Sequence, residues 1–590
     1  MRRDLPSAGF YALAFLLAAA MQLAGSAGSF AHVWQGGLVD PDSYMRLLRI
    51  EQGLKLGHLV NMVHRDDSGA PLLIEWSRLF DAALVALAAP FAPVFGWHTA
   101  LRWAGIASAP LAAGALGAGL AFSVAPLAER RFLWLAALLA PLLPGILEFE
   151  RIGVIHYHII MVGAAAIALG WAIRARDGGL GAGLATGISV GIAIWIMPET
   201  MPFVLLGFVG LGWAWMFRPL GETIRRAGLA FLATLAVALW RDPPHGGTFA
   251  AELDRVSIIY AALALMVLAA GTWLAWLDRR GLPPGRRAVL GAIGALACFA
   301  LWLGAYPDVV RGPHALISPA QYDLFFGRML ETQPVHGLGP AATVLGPGLF
   351  GVGVALTRVW GARRDPEECG GWGIAAAGGL LALGLTARFV IFQAFPTAFG
   401  AALLPVALTV ASARCADRPT RAAAARIGLV ALLLAVPYAV ALGALVAKRP
   451  AHPAPAGPSC VMSRIAPLLA PAGGQVVLSR IGEVPELLYR SRIIAVGSLY
   501  QHGVAAYLRA RAAWRAPSAG PHPPAALRAT GARFVLFCPR AAENIAQGAR
   551  PDSLWVLLAS GHPPPWLRLV GAQATTGFRL YRVVPVHAER

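Results

Sequence analysis

Apolar runs of about twenty residues, one after another, limit what this chain can be before any single residue does. A run of ~20 apolar residues crosses ~30 Å of hydrocarbon as a helix, and such runs recur along the chain as far as Ala447. Composition agrees: 57% of the 590 residues are hydrophobic and 13% charged, with a mean hydropathy of +0.62, beyond the apolar share of ordinary soluble domains. A formal charge of +19 would suit a nucleic-acid binder. Most arginines, however, sit in short loops between apolar runs, where orientation signals belong, so no nucleic-acid partner is expected.

Those loops set an expected topology. Arg2 and Arg3 precede the first run, Phe10 to Phe30, which has no convincing cleavage site after it. It reads as an anchor with a cytoplasmic N-terminus. The stretch Asp81 to Gly96 is short and broken by Pro90 and Pro93, hence interfacial or re-entrant. Counting it as a span would put Arg130 and Arg131 outside. Further spans are read at 99–123, 132–147, 155–173, 180–197, 200–217, 227–241, 256–277, 288–305, 339–357, 372–387, 389–412 and 427–447, about thirteen in all. The arginine clusters from Arg130/Arg131 to Arg414/Arg418/Arg421 then share the cytoplasmic face of a bacterial inner membrane, and the C-terminus lies outside.

The expected architecture is an α-helical polytopic membrane protein with a small C-terminal α/β periplasmic domain. Residues 1–447 form the membrane domain, with a long outer loop at 31–98 and another at 306–336. The Pro/Ala segment 448–458 is a linker, and 459–590 the exported domain. Within the latter, 475–478, 493–496, 533–537 and 578–584 read as strands and 503–514 as a helix. Cys460 and Cys538 both fall in this tail, where an oxidising compartment permits a disulfide.

Chemistry, if the chain performs any, lies on the outer face. Asp40-Pro-Asp-Ser-Tyr-Met-Arg46 follows the first span. Two carboxylates one residue apart can hold a hard divalent cation and, through it, a pyrophosphate. The same Asp-Pro-Asp-Ser is also a good turn and helix N-cap sequence, and spacing alone leaves both readings open. Glu150-Arg-Ile-Gly-Val-Ile-His-Tyr-His158 opens the fourth span; His156 and His158 diverge on a helix but can face one cavity at an extended helix start. Glu199, in Met197-Pro-Glu-Thr200, lies at a hinge between spans, where a carboxylate is expensive unless it meets water or a cation. Glu75 to Asp81 brings Arg78 and Asp81 into one stretch, and Arg388 at a span end suits a phosphate. Each has a bland counterpart as a snorkelling or headgroup-facing side chain.

Asp-Ser-Tyr-x-Arg in the first outer loop, Gly-Val-Ile-His-Tyr-His in the second and Trp-Ile-Met-Pro-Glu after the fifth span resemble the GT-C class of membrane glycosyltransferases. The likeness is greatest to the oligosaccharyltransferase catalytic subunit and its uncharacterised proteobacterial relatives. It implies an inverting glycosyltransferase that takes a sugar or oligosaccharide from a polyprenyl-(pyro)phosphate donor to an envelope acceptor on the periplasmic face. A divalent metal, Mg²⁺ or Mn²⁺, is implied with it. By resemblance, Asp42 is the catalytic carboxylate and a metal ligand, joined at the metal by His156 and His158. Asp40 and Glu199 are further catalytic carboxylates, and Tyr44, Arg46, Arg78, Asp81 and Arg388 bind substrate. Membrane lipids are the other partners; the residues name no protein partner.

Two departures stand out. The relatives' second loop reads Gly-Arg-Ile-Asp-His-His, so Gly153-Val-Ile-His-Tyr-His158 has His156 at the Asp position and Tyr157 at the first His. The Trp-Trp-Asp with which N-glycosylating relatives read a sequon does not occur in the tail. A lipid or polysaccharide flippase, or a non-catalytic assembly factor on the same scaffold, are the alternatives. Against the flippase, the sequence has no internal repeat and no charge near a span centre.

Overall fold

The computed structural model describes residues 6–447, 460–539, 549–573 and 577–584; Arg2, Arg3 and the linker 448–458 lie outside the described residues. Every run read as a span is helical. Among the described residues, ten of these helices are long and apolar enough to cross a membrane, or eleven if the bent pair Arg130–Leu142 and Pro144–Glu150, 63° apart, counts as one. The count falls below thirteen for local reasons. Leu180–Ile196 and Met201–Trp215 are helices of 17 and 15 residues, and at 132–147 Pro141 and Pro144 each withhold a helical N–H. The chain is a multi-pass helical membrane protein with a sheet in its C-terminal region.

The chain divides into two compact units. The first comprises Met1–Phe30, Ile106–Ala315 and Leu330–Arg449. Its helices approach through small residues, as bilayer-spanning helices do. A Cβ on Gly187 would lie 2.0 Å from the carbonyl oxygen of Ala227, and one on Gly228 would lie 2.7 Å from the Cα of Leu268. Helices Leu180–Ile196, Gly221–Arg241 and Ile258–Arg279 therefore pack backbone to backbone.

The second unit joins Ala31–Gly105 and Leu316–Met329 to Pro450–Arg590. The first outer loop thus folds with the tail. It carries the hairpin of β1 (Met62–Val63) and β2 (Leu72–Leu73). The tail sheet comprises β3 (Val476–Leu478), β4 (Ile494–Ala495), β5 (Phe534–Phe537), β6 (Leu567–Ala572) and β7 (Arg579–Val583), in the order β4-β3-β5-β7-β6. β3 is parallel to β4 and β5; β7 is antiparallel to β5 and β6. The four runs read as strands are strands, and β6 is an addition. Behind the sheet, Trp514, Phe537, Trp555 and Trp566 form a buried core that also takes Tyr322 and Phe325 from the 316–329 segment.

Residues 65–68 clasp the loop to the tail. Arg65 donates to the carbonyls of Ser491 at 2.7 Å and Leu488 at 2.6 Å, and the N–H of Ala495 returns to the Arg65 carbonyl at 2.9 Å. Asp66 is buried and accepts from the Ser498 hydroxyl and from the N–H of Asp67. Burial pushes its carboxyl up to about 6, against the pull of those two donors.

Cys460 and Cys538 are bonded, with Cα atoms 6.1 Å apart and a sequence separation of 78. A closed loop of that length corresponds to about 4.5 kcal/mol of unfolded-state entropy in the chain-entropy treatment. Cys460→Ser is therefore expected to lower the melting temperature of the purified protein, and reductant should do the same to wild type alone. Equal melting curves with and without reductant would contradict the bridge.

Candidate functional site

In the first unit, the helix His158–Ala175 begins at His158, with Tyr157 at its N-cap and His156 in the non-helical stretch before it. This break lets two residues spaced by two face each other. The Nδ1 atoms of His156 and His158 are 2.9 Å apart, and the rings lie nearly parallel with centroids 5.0 Å apart. His158 is buried between Phe149 and Tyr157, at 4.4 and 4.6 Å between centroids. Glu331, in the short turn Leu330–Thr332, completes the group: one ligand atom from each of the three residues lies within 4.8 Å of the others. No other such group occurs among the described residues.

The segment carrying Glu331 is fastened beside Arg388. The N–H of Val390 donates to Gln333 at 3.0 Å and that of Val335 to Ala387 at 3.1 Å. Arg388 lies between these bonds at the end of helix Pro366–Arg388, exposed, with its guanidinium 4.5 Å from the Phe389 ring centre. Glu199 is half-buried in the turn Pro198–Thr200 that joins Leu180–Ile196 to Met201–Trp215.

A cavity of about 870 Å³ runs through this unit. Val162, Phe203, Gly207 and Phe395 are among its apolar lining, and Arg174 and Arg218 line it as well. Val162 is one helical turn from His158.

In the second unit, Asp40 caps the helix Pro41–Leu56. Its carboxylate accepts from the Ser43 N–H at 2.8 Å and from the Ser43 hydroxyl. Asp42, in the first turn, accepts instead from the Tyr500 hydroxyl at 2.7 Å. Tyr500 is buried against Trp76, edge to face at 5.5 Å. Burial, then the charge of Asp42, raises its pKa well above the ordinary tyrosine range, with smaller contributions from Glu75 and Asp40.

The remaining residues of this group are enclosed. Tyr44 accepts from the Leu38 N–H at 2.7 Å and from Arg490 at 3.2 Å; burial and Glu486 push its pKa up to about 12, opposed by those two donors. Arg46 is buried, 2.9 Å from Asp81 and 4.4 Å from the Trp76 ring centre. Arg49, also buried, binds the other Asp81 oxygen and the Trp76 carbonyl. Arg78 begins the helix Arg78–Ala88 and donates to the Leu59 carbonyl at 3.1 Å. His156 and His158 thus belong to one unit and Asp42 to the other. Sequence reasoning missed Glu331, Arg49 and Tyr500.

No protein-family model matches the chain, and no curated protein does. Solved structures do. The oligosaccharyltransferase AglB of Archaeoglobus fulgidus, in complex with an inhibitory peptide and a dolichol-phosphate, matches with a TM-score of 0.65 over 98% of this chain and 75% of its own, at 13% identity. The fold is that of an oligosaccharyltransferase. A structure of the A. fulgidus oligosaccharyltransferase in complex with Zn and sulfate gives 0.64 over 98% and 74%, at 13% identity. Another, tethered to an acceptor peptide containing the NVT sequon, gives 0.63 over 98% and 75%, at 14% identity. The oligosaccharyltransferase-like architecture expected from the outer-loop motifs therefore extends over nearly the whole chain.

Proposed function

We propose that this protein is a glycosyltransferase of the bacterial inner membrane that moves a sugar or oligosaccharide from a polyprenyl-(pyro)phosphate to an envelope acceptor on the periplasmic face. The observation that carries the reading is the His156–His158–Glu331 group, set in an oligosaccharyltransferase fold that covers 98% of the chain. The carboxylate missing at position 156 has a counterpart in Glu331. The donor set is chemically coherent: buried His158, its facing partner His156 and one carboxylate can converge on a cation. Two imidazoles favour Mn²⁺ or Zn²⁺ over Mg²⁺, which prefers oxygen ligands and water. A divalent ion held by these three residues would supply charge neutralisation for a phosphate leaving with its lipid. Arg388, fastened beside Glu331, steadies that phosphate. The apolar cavity takes the isoprenoid chain, its lining beginning one turn from His158.

Asp42 serves as the carboxylate that orients or deprotonates the acceptor; Asp40, spent on the helix cap, holds the backbone that presents it. The absent Trp-Trp-Asp argues for an acceptor other than a protein sequon. The test compares envelope glycans and glycolipids in a deletion strain complemented with wild type or Asp42→Ala. Wild type should restore a missing glycan, and Asp42→Ala, at normal membrane levels, should not. Equal restoration would make this carboxylate structural and the reading wrong.

A further inference from the structure

Resting on that reading, we infer that Tyr500 is a positioning residue for the reaction, whose hydroxyl fixes the Asp42 carboxylate in its working orientation. Asp40-Pro-Asp42 carries two acids one residue apart. They look equivalent in sequence, yet the fold gives them different work. Asp40 is bound to the backbone and hydroxyl of Ser43 and fixes the start of the helix. Asp42 lies one residue inside that helix, half-buried, with a carboxylate whose two side-chain torsions admit several orientations. A hydrogen bond from Tyr500 to Oδ1 at 2.7 Å selects one of those orientations.

The donor is itself immobile. Tyr500 and Trp76 are both buried, packed edge to face. Trp76 is held in turn by Arg46, 4.4 Å from its ring centre, and by the bond from Arg49 to its carbonyl. Tyr500 also leads directly into the turn Gln501–Gly503 and the helix Val504–Arg515, and its carbonyl accepts from the Gly503 N–H at 2.9 Å. A hydroxyl on a fixed ring points one way, and here it points at the one acid of the pair that the helix cap does not use. The tail, 458 residues away in sequence, thereby contributes to the carboxylate of the first loop inside a single folded unit. A reacting group misplaced by ~1 Å can lose ~100-fold in rate, so the bond matters more for rate than for stability.

The test is Tyr500→Phe, which keeps the ring and removes one oxygen. Wild type, Tyr500→Phe, Asp42→Asn and the double variant are purified as full-length protein. Each is assayed with polyprenyl-linked sugars extracted from the source membranes, beside a melting curve. Labelling of Asp42 by a water-soluble carbodiimide, read by mass spectrometry, reports the contact without any activity. Tyr500→Phe is expected to reduce apparent kcat about 10- to 100-fold, leave apparent KM for the lipid donor within twofold, and speed labelling of Asp42. The double variant should be no slower than Asp42→Asn. An unchanged kcat or labelling rate in Tyr500→Phe, with Asp42→Asn inactive, would overturn the positioning role alone. So would an equal loss when the Asp42→Asn background already lacks the carboxylate. If Asp42→Asn itself transfers at the wild-type rate, the assignment of Asp42 under the proposed function fails and takes this role with it.

Discussion

His158→Ala and Glu331→Ala are each expected to abolish metal-dependent stabilisation of the protein and to reduce glycan transfer by about 100- to 1,000-fold. The direction follows from the donor count. Three ligand atoms within 4.8 Å of one another become two, and His158 sits in a buried slot between Phe149 and Tyr157 where no other side chain replaces it readily. The magnitude follows from the ion's work. Neutralising a leaving phosphate is worth several kcal/mol, and each ~1.4 kcal/mol is a factor of ten in rate. Thermal melting measures the first effect without any substrate. An ion at ~100 times its dissociation constant adds about 2.7 kcal/mol to stability, visible in wild type and absent in either variant. Mn²⁺ and Zn²⁺ should act at lower concentrations than Mg²⁺, because two of the three donors are imidazoles. If no divalent ion raises the melting temperature of wild type, the group is a packed histidine pair and the metal disappears from the mechanism.

Much of this was legible in the sequence, and the reasons differ by element. The spans declare themselves because apolar length is a property of contiguous residues. The strands at 476–478 and 534–537 do so because short β-branched and aromatic runs are local too. β6, Leu567–Ala572, escaped: its side chains are mostly exposed, Leu569 and Val570 among them, and Arg568 interrupts the apolar pattern. The His156/His158 pair could be read as convergent because the helix begins only at His158. Glu331 could not: a single acid in a loop 173 residues after His158 carries no spacing signal, and only the fold brings it to the imidazoles. Asp-Pro-Asp-Ser supported two readings, a helix cap and a chemical pair, and the fold divides them between Asp40 and the neighbouring Asp42. Spacing cannot make that division, because the decisive partner, Tyr500, arrives from the other end of the chain.

Asp81→Ala is expected to cost the second unit roughly 3–5 kcal/mol, or about 6–20 °C in melting temperature for a unit of this size. Read from sequence, Arg46 and Asp81 are outer-face candidates for substrate binding. In the fold both are buried, and Asp81 binds Arg46 and Arg49 together, one guanidinium on each oxygen. Removing the carboxylate leaves two buried cations side by side, with the π faces of Trp76 and Phe80 among the contacts that remain to Arg46. Desolvation that the ion pair offset is then uncompensated. The consequence extends to the chemistry. Trp76 leans on these guanidiniums and Tyr500 leans on Trp76, so loosening the triad releases the donor that holds Asp42. Asp81→Asn, which keeps the shape and one acceptor oxygen but loses the charge and turns the other oxygen into an NH2 donor, should fall between wild type and Asp81→Ala. Replacing Arg46, Arg49 and Asp81 together by apolar residues of matching volume should recover much of the loss in melting temperature, as buried ion clusters often allow, without recovering transfer. A melting temperature for Asp81→Ala within 2–3 °C of wild type, under ~1 kcal/mol for this size, would show that the triad holds little and that Trp76 is positioned by packing alone.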